Sequence, residues 1–392
     1  MHALITGGGI GGLTAALCLA HAGHRVSLFE QVNEIGEIGA GIQLSPNCSR
    51  VLHHLGLQQA LEAIAFLPQH TEMRHWKNAK FIASTPLGDT VHSRFGAPYY
   101  HVHRADLMRV LFDAASAVPA IALHTGARVN SVVDRGDRVE LTSDAQTVEG
   151  DLLIGADGIH STIRAALWGE AEPAFTGNIA WRALVPAERL PADLVRPAST
   201  VWWGPGRHFV HYYVRRGELV NCVCVVEKTG WEIESWTARG ERAELEADFA
   251  GWHNNVQQLI KQADEASLFK WALFDRPPMP QWGKGCITLL GDACHPTLPF
   301  MAQGAAMAIE DAAVLAACIE KAGEVEGALQ RYEDLRRDRT AGIQRGSRRN
   351  AKIFHLSGVQ AWLRNRAAAR AGGRTLDGLF AYDALSVADT QG

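Results

Sequence analysis

The chain has 392 residues, of which 47% are hydrophobic and 20% charged, the composition of an ordinary soluble globular protein. A formal net charge of −4 excludes a global attraction to nucleic acid, and no apolar run is long enough to predict a membrane-spanning helix. The seven cysteines form no CxxC pair, so reduced core thiols are expected rather than a zinc site, in a reducing, cytoplasmic compartment. The length predicts two or three domains.

The first predicted element is a strand–helix–strand unit around a glycine-rich loop, with no signal peptide before it. Its expected bounds are Ala3–Thr6, Leu13–Ala22 and Arg25–Phe29. Gly7, Gly9 and Gly12 fit the pattern GxGxxG, in which glycines allow a tight turn, approach of a pyrophosphate to the backbone, and close packing of helix on strand. Glu30 ends the second strand and is placed to accept hydrogen bonds from ribose hydroxyls, which favours FAD or NAD over NADP.

Three segments further along carry candidate ligand-binding residues, each with a plain structural alternative. In EIGAGIQLSPN (37–47) the glycines suit close approach to a ligand that Gln43 could face, although a structural turn explains them equally well. Arg104 lies at a predicted helix start, where the helix dipole disfavours a cation, so either a phosphate or ribityl partner holds it or it is a surface arginine. Asp157-Gly158 follows a buried strand, although Asp-Gly is also a common turn.

Strand signals replace helical periodicity from about Phe175 to Phe274. The runs TVWW, HFVHYYV and LVNCVCVV, separated by GPGR and RRGE, predict three antiparallel strands joined by tight turns. Side chains alternate between the two faces of a strand, so His208 and Tyr212 share one face. This pair could grip and deprotonate a phenol, or it could belong to an aromatic-rich sheet whose polar tips reach water.

A second loop, GDACHPTLPFMAQG (291–304), lies between a predicted strand and an alanine-rich helix expected over Met307–Cys318. The stretch 331–374 follows with twelve Lys/Arg and three Asp/Glu. A solvated face or a subunit contact explains these charges better than nucleic-acid or membrane binding, because no apolar stripe accompanies them.

The ordered motifs GGGIGG with Glu30, GADG with Arg164, and GDACHPTLPFMAQGAAMAIED make the chain resemble a known family. They resemble the single-component FAD-dependent aromatic hydroxylases, which include salicylate hydroxylase, 3-hydroxybenzoate 6-hydroxylase and 6-hydroxynicotinate 3-monooxygenase. The resemblance covers nearly the whole chain. It implies an α/β fold: a Rossmann-like FAD-binding domain of the glutathione-reductase type, an inserted β-rich substrate domain, and C-terminal helices. The expected bounds are 1–70, 101–175 and 278–330 for the FAD-binding domain, 71–100 and 176–277 for the substrate domain, and 331–392 for the C-terminal helical segment.

The resemblance also implies that one stretched FAD molecule uses both loops, which explains why the chain has two. The first loop takes the pyrophosphate and adenosine end, and the second takes the ribityl and isoalloxazine end. Asp292 is expected to bind the ribityl chain, while Gly304 and Ala305 offer backbone N–H groups to the pyrimidine ring. The expected cofactor-binding residues are Gly7, Gly9, Gly11, Gly12, Glu30, Gln31, Gln43, Arg104, Asp157, Asp292, Gly304 and Ala305. No metal is expected.

The implied reaction uses NADH or NADPH as a transient co-substrate, because the chain carries one dinucleotide fingerprint. Reduced FAD then reacts with O2 at its C4a carbon, and an electron-rich ring attacks the resulting hydroperoxide. His208 and Tyr212 match a His-x-x-x-Tyr strand of the family and are the candidates for phenol activation, with Pro299 near the reactive flavin edge. His295 is expected to be structural rather than a base.

The candidate substrate contacts are Gln43, Phe300 and Arg182, of which Arg182 is either a carboxylate partner or a structural interdomain arginine. The expected substrate is a small phenolic acid of the salicylate or hydroxybenzoate kind. Relatives acting on 6-hydroxynicotinate carry histidines at the positions of Gln43 and Phe300, and those acting on 3-hydroxybenzoate tend to carry glutamine at that of Pro299.

Other functions remain open at this point. The alternatives are a hydroxylase of N-heteroaromatic rings such as 6-hydroxynicotinate, a flavin oxidase or dehydrogenase without oxygen insertion, a flavin-free NAD-binding or regulatory module, and a nucleic-acid binder using the basic tail. The expected assembly is a monomer or a homodimer that binds neither nucleic acid nor membrane.

Overall fold

The structure, a computed structural model, describes residues 1–34, 40–228, 238–371 and 376–390. Residues 37–39 of the predicted ligand loop EIGAGIQLSPN therefore lie outside the described residues. The strands are β1 (His2–Thr6), β2 (Arg25–Phe29), β3 (Gly41–Leu44), β4 (His70–His75), β5 (Phe81–Pro86), β6 (Tyr100–His103), β7 (Ile121–His124), β8 (Val129–Asp134), β9 (Val139–Ser143), β10 (Thr147–Gly150), β11 (Leu152–Gly155), β12 (Ala174–Pro186), β13 (Ala198–Gly204), β14 (Arg207–Val214), β15 (Leu219–Glu227), β16 (Phe269–Asp275) and β17 (Ile287–Leu289). The α-helices are α1 (Ile10–His21), α2 (Pro46–His54), α3 (Gln58–Ile64), α4 (Gly88–Phe95), α5 (Arg104–Ser116), α6 (Thr162–Trp168), α7 (Arg242–Asp248), α8 (Asn254–Gln262), α9 (Gly304–Lys321), α10 (Val325–Phe354), α11 (Gly358–Ala371), α12 (Asp377–Phe380) and α13 (Val387–Thr390).

A parallel sheet in the order β17-β11-β1-β2-β7 forms the core of the first unit within the described residues. Its central strands are almost wholly apolar and buried, as expected for a parallel sheet covered on both faces. Helix α1 begins at Ile10, earlier than predicted, because Gly11 and Gly12 are part of its closely packed first turn. A Cβ on Gly11 would lie 2.6 Å from Leu290 Cδ2, so a larger residue would push α1 away.

A second sheet carries the strands β16-β12-β15-β14-β13-β4-β5 in that order. The three strands predicted to be antiparallel are β13, β14 and β15, which pair as neighbours. One face of this sheet carries Trp181, Trp202 and Phe209. These side chains pack against Phe249, which directly follows α7, and Leu259 of α8. The opposite face, which carries the even-numbered residues of β14, is turned towards the parallel-sheet region. The mixed α/β fold with a β-rich second unit is thereby confirmed.

The C-terminal helices are joined to this frame by buried ion pairs. Arg336 of α10 is fully buried, with guanidinium nitrogens 2.6 Å from Glu310 Oε2 and 2.7 Å from Asp311 Oδ1 on α9. Arg339 lies 2.7 Å from Glu310 Oε1. Several cations of the basic stretch 331–374 are therefore neutralised inside the fold, an arrangement that net charge alone could not reveal.

Four of the predicted domain boundaries fall inside secondary-structure elements. The positions 70/71, 100/101, 175/176 and 330/331 lie within β4, β6, β12 and α10. The boundary 330/331 departs most from the structure, because α10 runs unbroken across it for 30 residues and contains no proline that would end the helix. No helix in the described part of the chain is both long enough and apolar enough to cross a bilayer.

Candidate active site

The first glycine-rich loop has a geometry suited to a pyrophosphate. Gly7 has φ +96°, and a Cβ there would lie 2.4 Å from the carbonyl oxygen of Ala156. A Cβ on Gly12 would lie 1.9 Å from the carbonyl oxygen of Gly7. A Cβ on Gly9, in contrast, would meet no atom within 4 Å. The loop is closed on the protein side and open over Gly9, next to the N–H groups at the start of α1, which fits the phosphates of FAD.

Two acidic side chains, Glu30 and Asp157, lie just after the carboxyl ends of β2 and β11. Glu30 accepts hydrogen bonds from the backbone N–H of Gly8 (2.6 Å) and of Val32 (3.0 Å), which leaves lone pairs of its carboxylate for a ligand. Asp157 Oδ2 accepts from the N–H and the hydroxyl of Thr162 at 2.7 and 2.9 Å. Its Oδ1 is buried without a hydrogen-bond partner among the described residues.

Gln31 is exposed directly after Glu30. Arg104 is the first residue of α5, and its backbone N–H donates to the carbonyl of Ala40 at 2.9 Å. Arg104 is also close enough to Asp292 to lower the pKa of that carboxyl group.

The second loop brings Asp292 into a cavity beside Pro299 and Arg182. Desolvation by the surrounding protein raises the pKa of Asp292, while the charges of His295 and Arg104 act in the opposite direction. His295 itself is buried, with Nε2 2.6 Å from Asp311 Oδ2, and it does not line this cavity. This position suits a residue that holds the loop on α9.

Buried hydrogen bonds fix the end of this loop where α9 begins. Gln303 Nε2 donates to Ser45 Oγ at 3.0 Å, and Asn47 Nδ2 donates to Gln303 Oε1 at 3.1 Å. Ala302 has φ +52°, a left-handed conformation that is costly for a residue with a Cβ. The strained turn exposes the first N–H groups of α9, at Gly304 and Ala305, which have no partner within the helix.

These elements enclose a cavity of about 190 Å³ between α9 and the sheet. Seven of the predicted site residues line it: Gln43, Arg182, His208, Tyr212, Pro299, Gly304 and Ala305. A second cavity, of about 150 Å³, holds Asp292 and adjoins the first through Arg182 and the segment 297–299. The structure thus gathers residues that lie up to 262 positions apart in the sequence.

The sheet side of the cavity is polar but desolvated. Burial lowers the pKa of His208 well below its usual range, with a smaller contribution from His355, so the imidazole is neutral. Burial raises the pKa of Tyr212 to about 12, against the opposing effects of Arg182 and Gln43. Neutral His208 therefore offers a ring-nitrogen lone pair that can accept a hydrogen bond from the O–H group of a ligand.

Gln43 lines the cavity beside this wall, and Phe300 packs behind it. Gln43 Oε1 accepts a hydrogen bond from the Tyr99 hydroxyl at 2.6 Å, and its Nε2 donates to Ser199 Oγ at 3.2 Å. Phe300 packs against His208 with ring centroids 5.1 Å apart and does not line the cavity itself.

Arg182 brings a cation to the junction of the two cavities. Its guanidinium lies 5.1 Å from the centre of the Trp271 ring. Burial lowers its pKa, and its Nε is buried without a hydrogen-bond partner among the described residues. A desolvated cation of this kind is well suited to pairing with an anionic ligand.

Sequence reasoning missed two residues behind His208. His208 Nδ1 lies 2.8 Å from His355 Nε2, and His355 Nδ1 lies 2.7 Å from Glu227 Oε1. His355 follows α10 and is 147 positions from His208 in the chain, so no local motif could have revealed the contact.

A glycine-rich phosphate loop, a second loop at a helix N-terminus and two adjoining cavities beside the second loop define a FAD-dependent oxidoreductase. The model of the FAD binding domain family matches residues 1–347, and the chain belongs to this family. A 3-amino-4-hydroxybenzoate 2-monooxygenase of Streptomyces platensis is 41% identical over 366 residues, which cover 93% of this chain and 91% of that protein.

A second relative is a 6-hydroxynicotinate 3-monooxygenase of Bordetella bronchiseptica, 39% identical over 88% of this chain and 90% of its own. Among solved structures, Klebsiella pneumoniae HpxO complexed with FAD and uric acid has a TM-score of 0.87 and 28% identity, covering 98% of this chain and 97% of that one. The protein is a FAD-dependent aromatic-ring monooxygenase, as the ordered motifs predicted.

Proposed function

We propose that this enzyme hydroxylates a small phenolic aromatic acid of the hydroxybenzoate or salicylate kind, using NADH or NADPH and O2. The observation that carries the proposal is the cavity where Arg182, His208 and Tyr212 converge beside the start of α9. The 41% identical relative named for an aminohydroxybenzoate supports the substrate class.

The polar residues divide the recognition of such a substrate between them. Arg182 pairs with the carboxylate, because a guanidinium offers paired N–H donors to the two oxygens. His208 accepts the phenolic proton, which raises the electron density of the ring. Tyr212 keeps its own proton, given a pKa raised to about 12, and so donates a hydrogen bond to the phenolate oxygen.

The protein's remaining task is to hold the ring and exclude water. Bound FAD supplies the electron transfer and oxygen activation. The open space over Gly9, the Asp292 carboxylate and the N–H groups of Gly304 and Ala305 are the groups that would hold it, from the pyrophosphate to the flavin ring. Pro299 borders both cavities, and Leu298 next to it supplies apolar surface.

Hydroxylation of an N-heteroaromatic acid such as 6-hydroxynicotinate is the second candidate, favoured by the 39% identical relative of that name. Gln43 and Phe300 stand where the resemblance leads one to expect histidines for that substrate. The amide of Gln43 is also engaged by Tyr99 and Ser199, so it is less available to a ring nitrogen.

A substrate screen tests the proposal. The FAD-loaded enzyme is mixed with NADH or NADPH and a panel of hydroxybenzoates and hydroxypyridines, and product is analysed after reaction under ¹⁸O2. We expect stimulation of NAD(P)H oxidation by a hydroxybenzoate, with one labelled oxygen atom in the product. Oxidation without label would indicate an oxidase, and a response confined to hydroxypyridines would favour the second candidate.

The division into domains, cytoplasmic location, and a monomeric or homodimeric state complete the proposal. The cysteines in the described residues are all unpaired and buried, which suits a reducing compartment.

A further inference from the structure

A chain of hydrogen bonds links the cavity wall to the protein surface. His208 lines the cavity and is buried, His355 is almost completely buried behind it, and the Glu227 side chain is 55% exposed. The distances between the bonded atoms are 2.8 Å from His208 to His355 and 2.7 Å from His355 to Glu227. We propose that these three side chains form a proton relay that carries the substrate's phenolic proton to solvent.

The hydrogen bonds fix the tautomer of each ring. An ionised carboxylate can only accept, so His355 carries its proton on Nδ1, which faces Glu227. In a neutral ring the other nitrogen then accepts, so His208 must donate from Nδ1 to His355 Nε2. The lone pair of neutral His208 is therefore on Nε2, which makes no hydrogen bond with the described residues. This atom is free to take a proton from a ligand in the cavity.

Backbone contacts hold the relay together. The N–H of Gly206 donates to the carbonyl of His355 at 3.0 Å, and the N–H of Glu227 donates to the carbonyl of Gly206 at 2.9 Å. These bonds tie the end of α10 to the strands that carry the other two members. The relay geometry is thus built into the junction between sheet and helix.

The surroundings of His355 keep it from holding a second proton, so that a proton it accepts is passed on to Glu227. Burial lowers the pKa of His355, and Arg364 and Arg207 act in the same direction, while Glu227 raises it. His355 also caps the C-terminus of α10, where the helix dipole favours a transient positive charge. Glu227 faces an open groove that also contains Lys228.

The transfer balances in three concerted or successive steps. The substrate O–H bond breaks as a proton joins His208 Nε2, and the Nδ1 proton of His208 moves to His355 Nε2. The Nδ1 proton of His355 then joins a carboxylate oxygen of Glu227, which releases it to water. Each histidine ends as the opposite tautomer. A proton taken from water at Glu227 and passed back through the same bonds to the phenolate oxygen of the product resets the pair. His355 and Glu227 act through His208 and are therefore positioning residues.

The first test is independent of the substrate, whereas the inference as a whole rests on the proposed function. Nitrogen-15 NMR of the histidines in the FAD-loaded enzyme at neutral pH reports which ring nitrogen is protonated, with His208→Gln and His355→Gln used to assign the two signals. We expect both residues to carry the proton on Nδ1. A proton on Nε2 of His208 would overturn the relay.

The second test follows the proton itself. FAD-loaded enzyme is mixed without O2 or NAD(P)H with 3-amino-4-hydroxybenzoate in weak buffer containing a pH indicator, while ligand absorbance records phenolate formation. Glu227→Gln and His355→Gln keep hydrogen-bonding groups but cannot pass a proton on. We expect both variants to slow the appearance of the proton in solution by about 10-fold or more.

The matched control is Glu218→Gln, which removes an exposed carboxylate just before the same strand, β15, and should leave proton release unchanged. FAD content and melting temperature verify that each variant folds. Release at the wild-type rate in both relay variants would refute the relay. A flavin spectrum that does not respond to the ligand would instead count against the proposed substrate class, and the NMR result then decides the relay alone.

Discussion

The nucleotide-binding loops and the sheet above them build their parts of the site from different atoms. Around Gly7, Gly9 and Gly12 the site is made by the backbone. A Cβ would lie 2.4 Å from a carbonyl oxygen at Gly7 and 1.9 Å from one at Gly12, so side chains are excluded at these two positions. On β14 the site is made by side chains, with His208 and Tyr212 held in a desolvated wall. A site made by the backbone can be recognised from the local spacing of glycines in the sequence. A site made by side chains depends on strand register, which the local sequence does not give.

The largest expected effect comes from the backbone-made part. Gly12→Ala places a Cβ against the carbonyl oxygen of Gly7, and we expect destabilisation by about 3 kcal/mol or more and loss of FAD-containing protein. Gly9→Ala is the matched variant, because its Cβ meets no protein atom within 4 Å. It should leave the melting temperature of the FAD-free protein unchanged and still weaken FAD binding. Unchanged FAD affinity in Gly9→Ala would show that the pyrophosphate lies elsewhere.

Substitutions in the side-chain wall on β14 should change the rate of hydroxylation rather than the amount of bound FAD. We expect His208→Ala to slow hydroxylation by about 100-fold, or to divert reduced enzyme to peroxide, while FAD stays bound. Tyr212→Phe should have a smaller effect of the same kind, since the ring that packs 4.4 Å from His101 is retained. Single-turnover product yield and peroxide release are the measurements. Wild-type coupling in both variants would break the assignment of this sheet face.

Arg182→Gln sharpens the comparison by changing one proposed substrate contact alone. Loss of a charge-assisted hydrogen bond of about 1.5–3 kcal/mol should raise KM for a hydroxybenzoate by about 10- to 100-fold. The same phenol without its carboxylate is the control substrate, and its KM should be little affected. An equal change for both substrates would indicate that Arg182 supports the fold instead.

The smallest effect concerns the other face of β14. Burial, with a smaller contribution from Arg74, lowers the pKa of His211 to about 3. The unfolded chain binds this proton near the ordinary value of 6.5, so stability present above pH 6.5 is lost as the pH falls towards 3. His211→Phe should therefore lose about 1–2 kcal/mol less than wild type between pH 6.5 and 5 in denaturant titrations.

Exposed His92→Ala is the control for this experiment and should keep the wild-type acid dependence. If His211→Phe lost stability in parallel with the wild type, the buried imidazole would have no part in acid sensitivity.

The sequence predicted the fold class, both loops and the bounds of β2, because these depend on local patterns of glycine and apolar residues. It also placed His208 and Tyr212 on one strand face, since alternation follows from the backbone alone. It could not predict that His355 lies behind His208, because that contact depends on where α10 ends in space. The internal pairing of Arg336 was hidden for the same reason.

The buried acids of α9 have a consequence for synthesis. Glu310 and Asp311 leave the ribosome before Arg336 and Arg339, the arginines that neutralise them in the finished molecule. A chain that ended before Arg336 would bury both carboxylates without their guanidinium partners, and removing one partner of a buried ion pair costs about 3–5 kcal/mol. Stable docking of α9 therefore depends on the translation of α10.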